Sequence, residues 1–140
     1  MQPLPLKVKE KQQQVMIASR LILVFVLALI SWQATIRSGV GLPFENGDKI
    51  LHFFAFAALA ALVDFAFPKS RFGALKITAL IFYGVSIEFV QSFLPYRSAS
   101  LIDLMADIFG IGTYMVSIPV LKRLPLFRDR WGVESGPRSK

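Results

Sequence analysis

The chain has 140 residues, of which 54% are apolar and 18% are charged. A soluble domain of this size carries about a quarter charged residues, so the composition favours a small membrane protein over a soluble enzyme. It contains no Cys and one His, which excludes disulfides, thiolate chemistry and any site built from two histidines of one chain. The net charge of +7 would suggest a nucleic-acid ligand in a soluble chain, but in a membrane chain it reports orientation, and we expect no nucleic acid among the partners.

Four apolar segments each approach the ~20 residues that an α-helix needs to cross the ~30 Å hydrocarbon core of a bilayer. They predict an all-α, integral membrane four-helix bundle with spans at about residues 18–36, 50–67, 74–94 and 101–121. A polar leader of residues 1–17 precedes this membrane domain, and a basic tail of residues 122–140 follows it.

Local signals fix the ends of several spans. The first span has no polar side chain from residue 21 to residue 30 and no good cleavage site after it, so we expect a retained signal anchor. Pro68 and Pro95 end the second and third spans. Ser100 is predicted to be the N-cap of the fourth helix, with Asp103 in its first turn, where a carboxylate meets free amide groups.

The distribution of basic residues predicts the orientation of the bundle. Most of the 16 Lys and Arg residues lie in the leader, in the loop after the second span and in the tail. The positive-inside rule then places both termini in the cytoplasm, with the loops of residues 37–49 and 95–100 outside. We therefore expect a multi-pass membrane protein with both termini in the cytoplasm.

Ionisable and amide side chains inside spans are costly and mark candidate functional sites. With the predicted topology they converge at the outer end of the bundle, in a polar pocket formed by Asp48, Lys49, His52, Glu88, Gln91, Arg97, Asp103 and Asp107. Gly84 and Gly110 lie on the same helix stripes and are predicted to let neighbouring helices pack closely. Asp64, by contrast, is expected to be isolated near the inner end and paired with Lys69 or Arg71 at the interface.

The ordered set of these motifs resembles the VanZ-like family. Its pattern is an Asp-Lys-x-x-His-Phe start to one span, a Glu-x-x-Gln near the end of the next, an Arg in a short outer loop and Asp-x-x-x-Asn-x-x-Gly in the last span. The matching residues here are Asp48-Lys49, His52-Phe53, Glu88, Gln91, Arg97, Asp103 and Gly110. This chain departs from the family at Asp107, where Asn is usual, and at Phe56, where Tyr is common.

The resemblance implies a protein of the bacterial cell envelope with a polar outer site. The family's founding member is an accessory factor in resistance to lipid-tailed glycopeptide antibiotics. Membership alone implies a location and a site, but no reaction.

Three hypotheses for the polar residues remain open at this stage. They could pair among themselves, Glu88 with Arg97 and Lys49 or His52 with Asp48 or Asp103, and so fix the packing of the helices. They could bind a lipid-linked or glycopeptide-like head group, with Arg97 on a phosphate or carboxylate and the other side chains on hydroxyls or amines. Catalysis by a carboxylate pair with His52 as general acid or base is the least favoured of the three.

We adopt the binding hypothesis, with membrane lipids or a lipid-linked envelope intermediate as partners. The alternative from a different class is an accessory subunit of a larger membrane complex. We expect no cofactor. Carboxylates with His52 could also form a hard-cation site, but any acidic cluster would suggest one, so we assign no metal ligands.

Overall fold

The computed structural model describes residues 6–37, 43 and 46–124. Within these residues the chain forms four α-helices and no strand: α1 (Leu6–Thr35), α2 (Gly47–Ala66), α3 (Ala74–Gln91) and α4 (Leu101–Leu121). The predicted all-α bundle of four helices is confirmed. The basic tail beyond residue 124 lies outside the described residues, and the orientation of the bundle stays a prediction.

Each helix is long and apolar enough to cross a bilayer. The candidate spans have 27, 20, 18 and 21 residues, and each contains a strongly apolar stretch of 18 residues. Large side chains such as Phe54, Phe82 and Phe109 are exposed on the outer surface of the bundle. A water-soluble bundle would bury such rings, whereas lipid chains solvate them. The chain is a multi-pass membrane protein.

Three helix boundaries differ from the prediction. α1 begins at Leu6, so the part of the polar leader that the structure describes continues the first helix. α2 begins at Gly47 and therefore includes Asp48 and Lys49 in its first turn, directly after Asn46 in the left-handed region (φ 63°). α3 ends at Gln91, which lengthens the turn to α4 to residues 92–100.

The start of α4 follows the predicted capping pattern. The Ser100 hydroxyl accepts a hydrogen bond from the Asp103 N–H at 3.4 Å, while the Ser100 backbone is extended. The bond satisfies one of the amide donors that a helix leaves free in its first turn. The predicted N-cap is confirmed, and it fixes where the fourth helix begins.

α2 is the central helix of the bundle, and it packs most extensively against α4 and then against α1. Its buried face presents Phe56, Leu59 and Ala60 to the core. Gly110 of α4 lies directly on the α2 backbone, because a Cβ at this position would collide with the Phe53 carbonyl oxygen and would lie 2.9 Å from the Ala57 nitrogen. A small residue at this crossing lets the two helix backbones approach closely.

Candidate functional site

The two ends of the bundle each hold a group of polar side chains. We call the end with the α3–α4 turn (residues 92–100) the hairpin end, and the end with the α2–α3 turn (residues 67–73) the opposite end. All eight predicted site residues lie at the hairpin end. Seven of them belong to helices α2, α3 and α4, and Arg97 lies in the turn itself. The hairpin-end cluster is defined by four of them, His52, Glu88, Asp103 and Asp107.

The hairpin brings the end of α3 against the start of α4. The Ser100 backbone N–H donates to Glu88 Oε2 at 2.6 Å, so a side chain from α3 binds the N-cap residue of α4. The same N-cap residue holds the Asp103 amide through its hydroxyl. Glu88 and Asp103 are thereby fixed next to one another, and they are only 8% and 6% exposed.

α2 joins the cluster through its histidine. His52 Nδ1 and Asp107 Oδ1 are 2.9 Å apart, and Asp107 is 1% exposed. Asp107 occupies space that Gly84 of α3 leaves open, since a Cβ on Gly84 would lie 2.7 Å from Asp107 Oδ2. The glycine therefore makes room for a carboxylate, in addition to any role in helix packing.

Side chains from three helices meet in this cluster. One potential ligand atom each from His52, Glu88 and Asp103 lies within 4.8 Å of the others. Lys49 lies at the rim, with its Nζ 3.0 Å from Asp48 Oδ2 and 3.5 Å from Asp103 Oδ1. Asp48 points outward, with 57% of its side chain exposed, so it belongs to the rim rather than to the buried cluster.

Several oxygens of the cluster are buried without a hydrogen-bond partner. They are Glu88 Oε1, Asp103 Oδ1 and Asp107 Oδ2. Buried polar atoms in folded proteins nearly always have a partner, and each one without it carries an unrecovered cost of desolvation. The cluster therefore has three acceptor atoms that a bound group with hydrogen-bond donors or positive charge would satisfy.

Two of the predicted pocket residues contact α1 instead. Arg97 Nη2 donates to the carbonyl oxygens of Gln33 and Ile36 at 3.0 and 3.1 Å, and Gln91 Nε2 donates to that of Ala34 at 3.2 Å. The Tyr96 hydroxyl donates to the Thr35 carbonyl at 2.8 Å.

These contacts cap the C-terminus of α1, where carbonyl groups lack helical partners and a positive charge is favourable. Arg97 was expected either to pair with Glu88 or to hold a phosphate, but its guanidinium is used to attach α1 to the hairpin. Glu88 accepts from the backbone of Ser100. Sequence alone gives no signal for this, because an arginine in a short loop serves a ligand and a helix C-terminus equally well.

The opposite end holds a second buried network, which the sequence did not reveal. Lys76 Nζ donates to Asp64 Oδ1 at 2.8 Å and to the carbonyl oxygens of Phe67 and Ser70, both at 2.9 Å. The Tyr114 hydroxyl donates to Asp64 Oδ2 at 2.9 Å. We call Asp64, Lys76 and Tyr114 the opposite-end cluster.

The expectation that Asp64 is isolated at the interface is therefore wrong. Asp64 is 0% exposed and Lys76 is buried beside it, whereas Lys69 and Arg71, the two expected partners, are exposed. The cause is local: Lys76 lies in the first turn of α3, directly opposite the last turns of α2. The weak sequence signal was a lysine inside a predicted span, which should have a partner within the protein.

Comparison with known proteins places the chain beside a family and an uncharacterised relative. A family model described as VanZ/LLP1 matches residues 4–122. Over 97 residues the chain is 36% identical to an uncharacterised protein of the fission yeast Schizosaccharomyces pombe, a match that covers 67% of this chain and 59% of the yeast protein. The chain thus spans less than two thirds of this relative's length. No solved structure matches the chain.

Proposed function

Since the chain belongs to the VanZ/LLP1 family, we propose that it is a VanZ-like membrane protein that binds, in its hairpin-end cluster, the head group of a lipid or lipid-linked compound. One observation carries the proposal: Glu88, Asp103 and Asp107 each keep a buried oxygen without a hydrogen-bond partner. The unmet acceptors lie at one end of a bundle of helices long and apolar enough to cross a membrane.

The chemistry of the cluster favours a head group that donates hydrogen bonds. Its members are three buried carboxylates and one half-buried histidine, and Nη2 of the neighbouring Arg97 donates to the carbonyl groups of α1. Carboxylate oxygens accept from hydroxyl and ammonium groups and repel a bare phosphate. A sugar-bearing or amine-bearing head group therefore fits better than an anionic one, and a glycopeptide-like compound, which carries sugar hydroxyls and amines, belongs to the same chemical class.

The cellular location is part of the proposal. The basic leader and loop favour a hairpin end that faces away from the cytoplasm, and the family resemblance favours the envelope of a bacterium, at its inner membrane. The relative in a yeast extends the similarity beyond bacteria. It favours a ligand class found in membranes generally over one confined to bacterial walls or to a single antibiotic.

The test is lipid retention by the purified full chain. The protein is extracted in a mild detergent, and its bound lipids are identified by mass spectrometry and then titrated with phosphatidylethanolamine, phosphatidylglycerol and a glycosylated diacylglycerol. We expect the wild type to retain an amine- or sugar-bearing lipid. Glu88→Gln should weaken that binding by about 10-fold or more, because a bond to a charged acceptor contributes about 1.5–3 kcal/mol.

Asp48→Asn is the matched control, since it removes an exposed rather than a buried carboxylate from the same end of the bundle. It should leave lipid retention unchanged. Equal retention of all three lipids, or full retention by Glu88→Gln, would contradict the proposal. A stoichiometric protein partner in the same preparation, with no enriched lipid, would instead favour an accessory subunit of a larger complex.

A further inference from the structure

We propose that the hairpin-end cluster is a binding site for a divalent transition-metal cation, with His52, Glu88 and Asp103 as its ligands. This goes beyond the proposed function and does not depend on it, because a cation can bind whether or not a lipid head group follows. It also replaces our expectation from the sequence, where an acidic cluster near one histidine was too general a pattern to assign a metal.

The geometry gathers the three ligands from three different helices. His52 comes from α2, Glu88 from α3 and Asp103 from α4, and one ligand atom of each lies within 4.8 Å of the others. In a tetrahedral zinc site with bonds of 2.0–2.2 Å, the ligand atoms are roughly 3.3–3.6 Å apart. Side-chain rotations that move each ligand atom by about an ångström would bring the three atoms to the separations of a zinc site.

Burial supplies the second, independent observation. Glu88 and Asp103 are both more than nine-tenths buried, and each has an oxygen, Oε1 and Oδ1 respectively, that no hydrogen bond satisfies. Asp103 Oδ1 lies 3.5 Å from Lys49 Nζ, and this ammonium makes its shorter contact, at 3.0 Å, with the exposed Asp48. Buried carboxylates with so little compensation are costly in a bundle, and a metal ion removes that cost.

The histidine carries the arrangement expected of a metal ligand. Its Nδ1 is hydrogen-bonded to Asp107 Oδ1 at 2.9 Å, which leaves Nε2 as the nitrogen for a metal. A carboxylate behind a ligating histidine fixes the ring orientation and makes the ligand more basic. In this interpretation Asp107, present where the family usually has Asn, is a positioning residue for His52.

The donor set indicates which metal fits. One imidazole and two carboxylates suit Zn²⁺ or Mn²⁺ better than Ca²⁺ or Mg²⁺, which prefer oxygen alone. Three protein ligands leave at least one coordination position open. A water molecule or an oxygen of a head group is chemically suited to that position.

The test is direct titration of the full chain with Zn²⁺ and Mn²⁺. The protein is purified in detergent through a tag without histidines, stripped of metal with a chelator, and measured by isothermal titration calorimetry and elemental analysis. We expect about one equivalent of metal per chain. His52→Ala and Glu88→Gln should each lower the affinity at least 10-fold, and Asp107→Ala by about 10- to 100-fold, the range for outer-shell partners.

Asp48→Asn, the exposed carboxylate at the same end, should bind metal as the wild type does. Folding of each variant is checked by gel filtration and by helical circular dichroism, and a second readout keeps the test decisive: metal should raise the melting temperature of the wild type but not that of Glu88→Gln. Folded wild-type protein that binds neither ion stoichiometrically would overturn the proposal. Binding that is undiminished in both His52→Ala and Glu88→Gln would overturn it as well.

Discussion

The two ends of this bundle both bury carboxylates, but they differ in how those carboxylates are partnered. At the opposite end, Asp64 receives bonds on both oxygens, from Lys76 at 2.8 Å and from Tyr114 at 2.9 Å. Lys76 in turn uses two more donors on backbone carbonyl groups. At the hairpin end, each of three carboxylates keeps one buried oxygen without a hydrogen-bond partner.

This difference separates a structural network from a candidate site. A buried ion pair whose groups are all hydrogen-bonded leaves little capacity to bind anything else, and its role is to fix how the helices pack. A cluster with unmet acceptors carries a cost in the absence of a ligand and recovers it when one binds. A charged residue inside a span is therefore not by itself evidence of function. Its hydrogen-bond partners decide whether it belongs to a structural network or to a candidate binding site.

The largest effect is expected at the closed network. Lys76→Met removes the buried ammonium that Asp64 contacts, and breaking such a pair by removing one partner costs about 3–5 kcal/mol. The free energy of unfolding is measured by titration with a denaturing detergent in mixed micelles. The double variant Asp64→Leu/Lys76→Met should recover part of the loss, since it leaves neither charge of the pair buried alone. The recovery is partial because the Tyr114 hydroxyl loses this acceptor and the Phe67 and Ser70 carbonyl groups lose this donor. If Lys76→Met lowers the free energy of unfolding by less than about 1 kcal/mol, the opposite-end cluster is not the structural network that separates it from the hairpin-end cluster.

A smaller effect is expected at the helix crossing on which both clusters depend. In Gly110→Ala the new Cβ meets the α2 backbone at Phe53 and Ala57, and neither can rotate away as a side chain could. Overpacking of this kind costs about 1–3 kcal/mol, and we expect both lipid retention and stability to fall, because α2 and α4 carry residues of both clusters. Gly112→Ala is the matched control, since nothing lies within 4 Å of its added Cβ. Equal stability of the two variants would show that the α2–α4 contact does not need a glycine.

Much of the fold could be predicted from the sequence because its causes are local. Hydropathy over about 20 residues defines a span, and a proline or a capping serine defines an end. Ser100 is the clearest case, since its hydroxyl and the Asp103 amide are three residues apart and need no other helix. The start of α1 at Leu6 was missed because a polar, helix-compatible leader gives no hydropathy signal for where the helix begins.

The pairing of polar side chains could be predicted only in part, because it depends on how helices rotate about their axes. Residue spacing places His52, Glu88 and Asp103 at one end of the bundle, and in the structure one ligand atom of each lies within 4.8 Å of the others. It does not show that Asp64 meets Lys76, or that Arg97 reaches the carbonyl groups of α1. Lys and Arg side chains are long and flexible, so several partners lie within reach, and the choice is made by helix packing.

The smallest effect on stability is expected at the hairpin-end cluster, where one oxygen of each buried carboxylate has no hydrogen-bond partner. Glu88→Gln keeps an oxygen to accept from the Ser100 N–H and replaces one of the three buried carboxyl groups of the hairpin-end cluster with a neutral amide. The weaker hydrogen bond and the relieved repulsion oppose each other, so we expect the free energy of unfolding to stay within about 1 kcal/mol of the wild type. Asp48→Asn should change it even less, because its pairing with Lys49 is exposed and such pairs contribute little. If Glu88→Gln instead lost as much stability as Lys76→Met, Glu88 would be a structural residue, and the hairpin end would be a second closed network rather than a binding site.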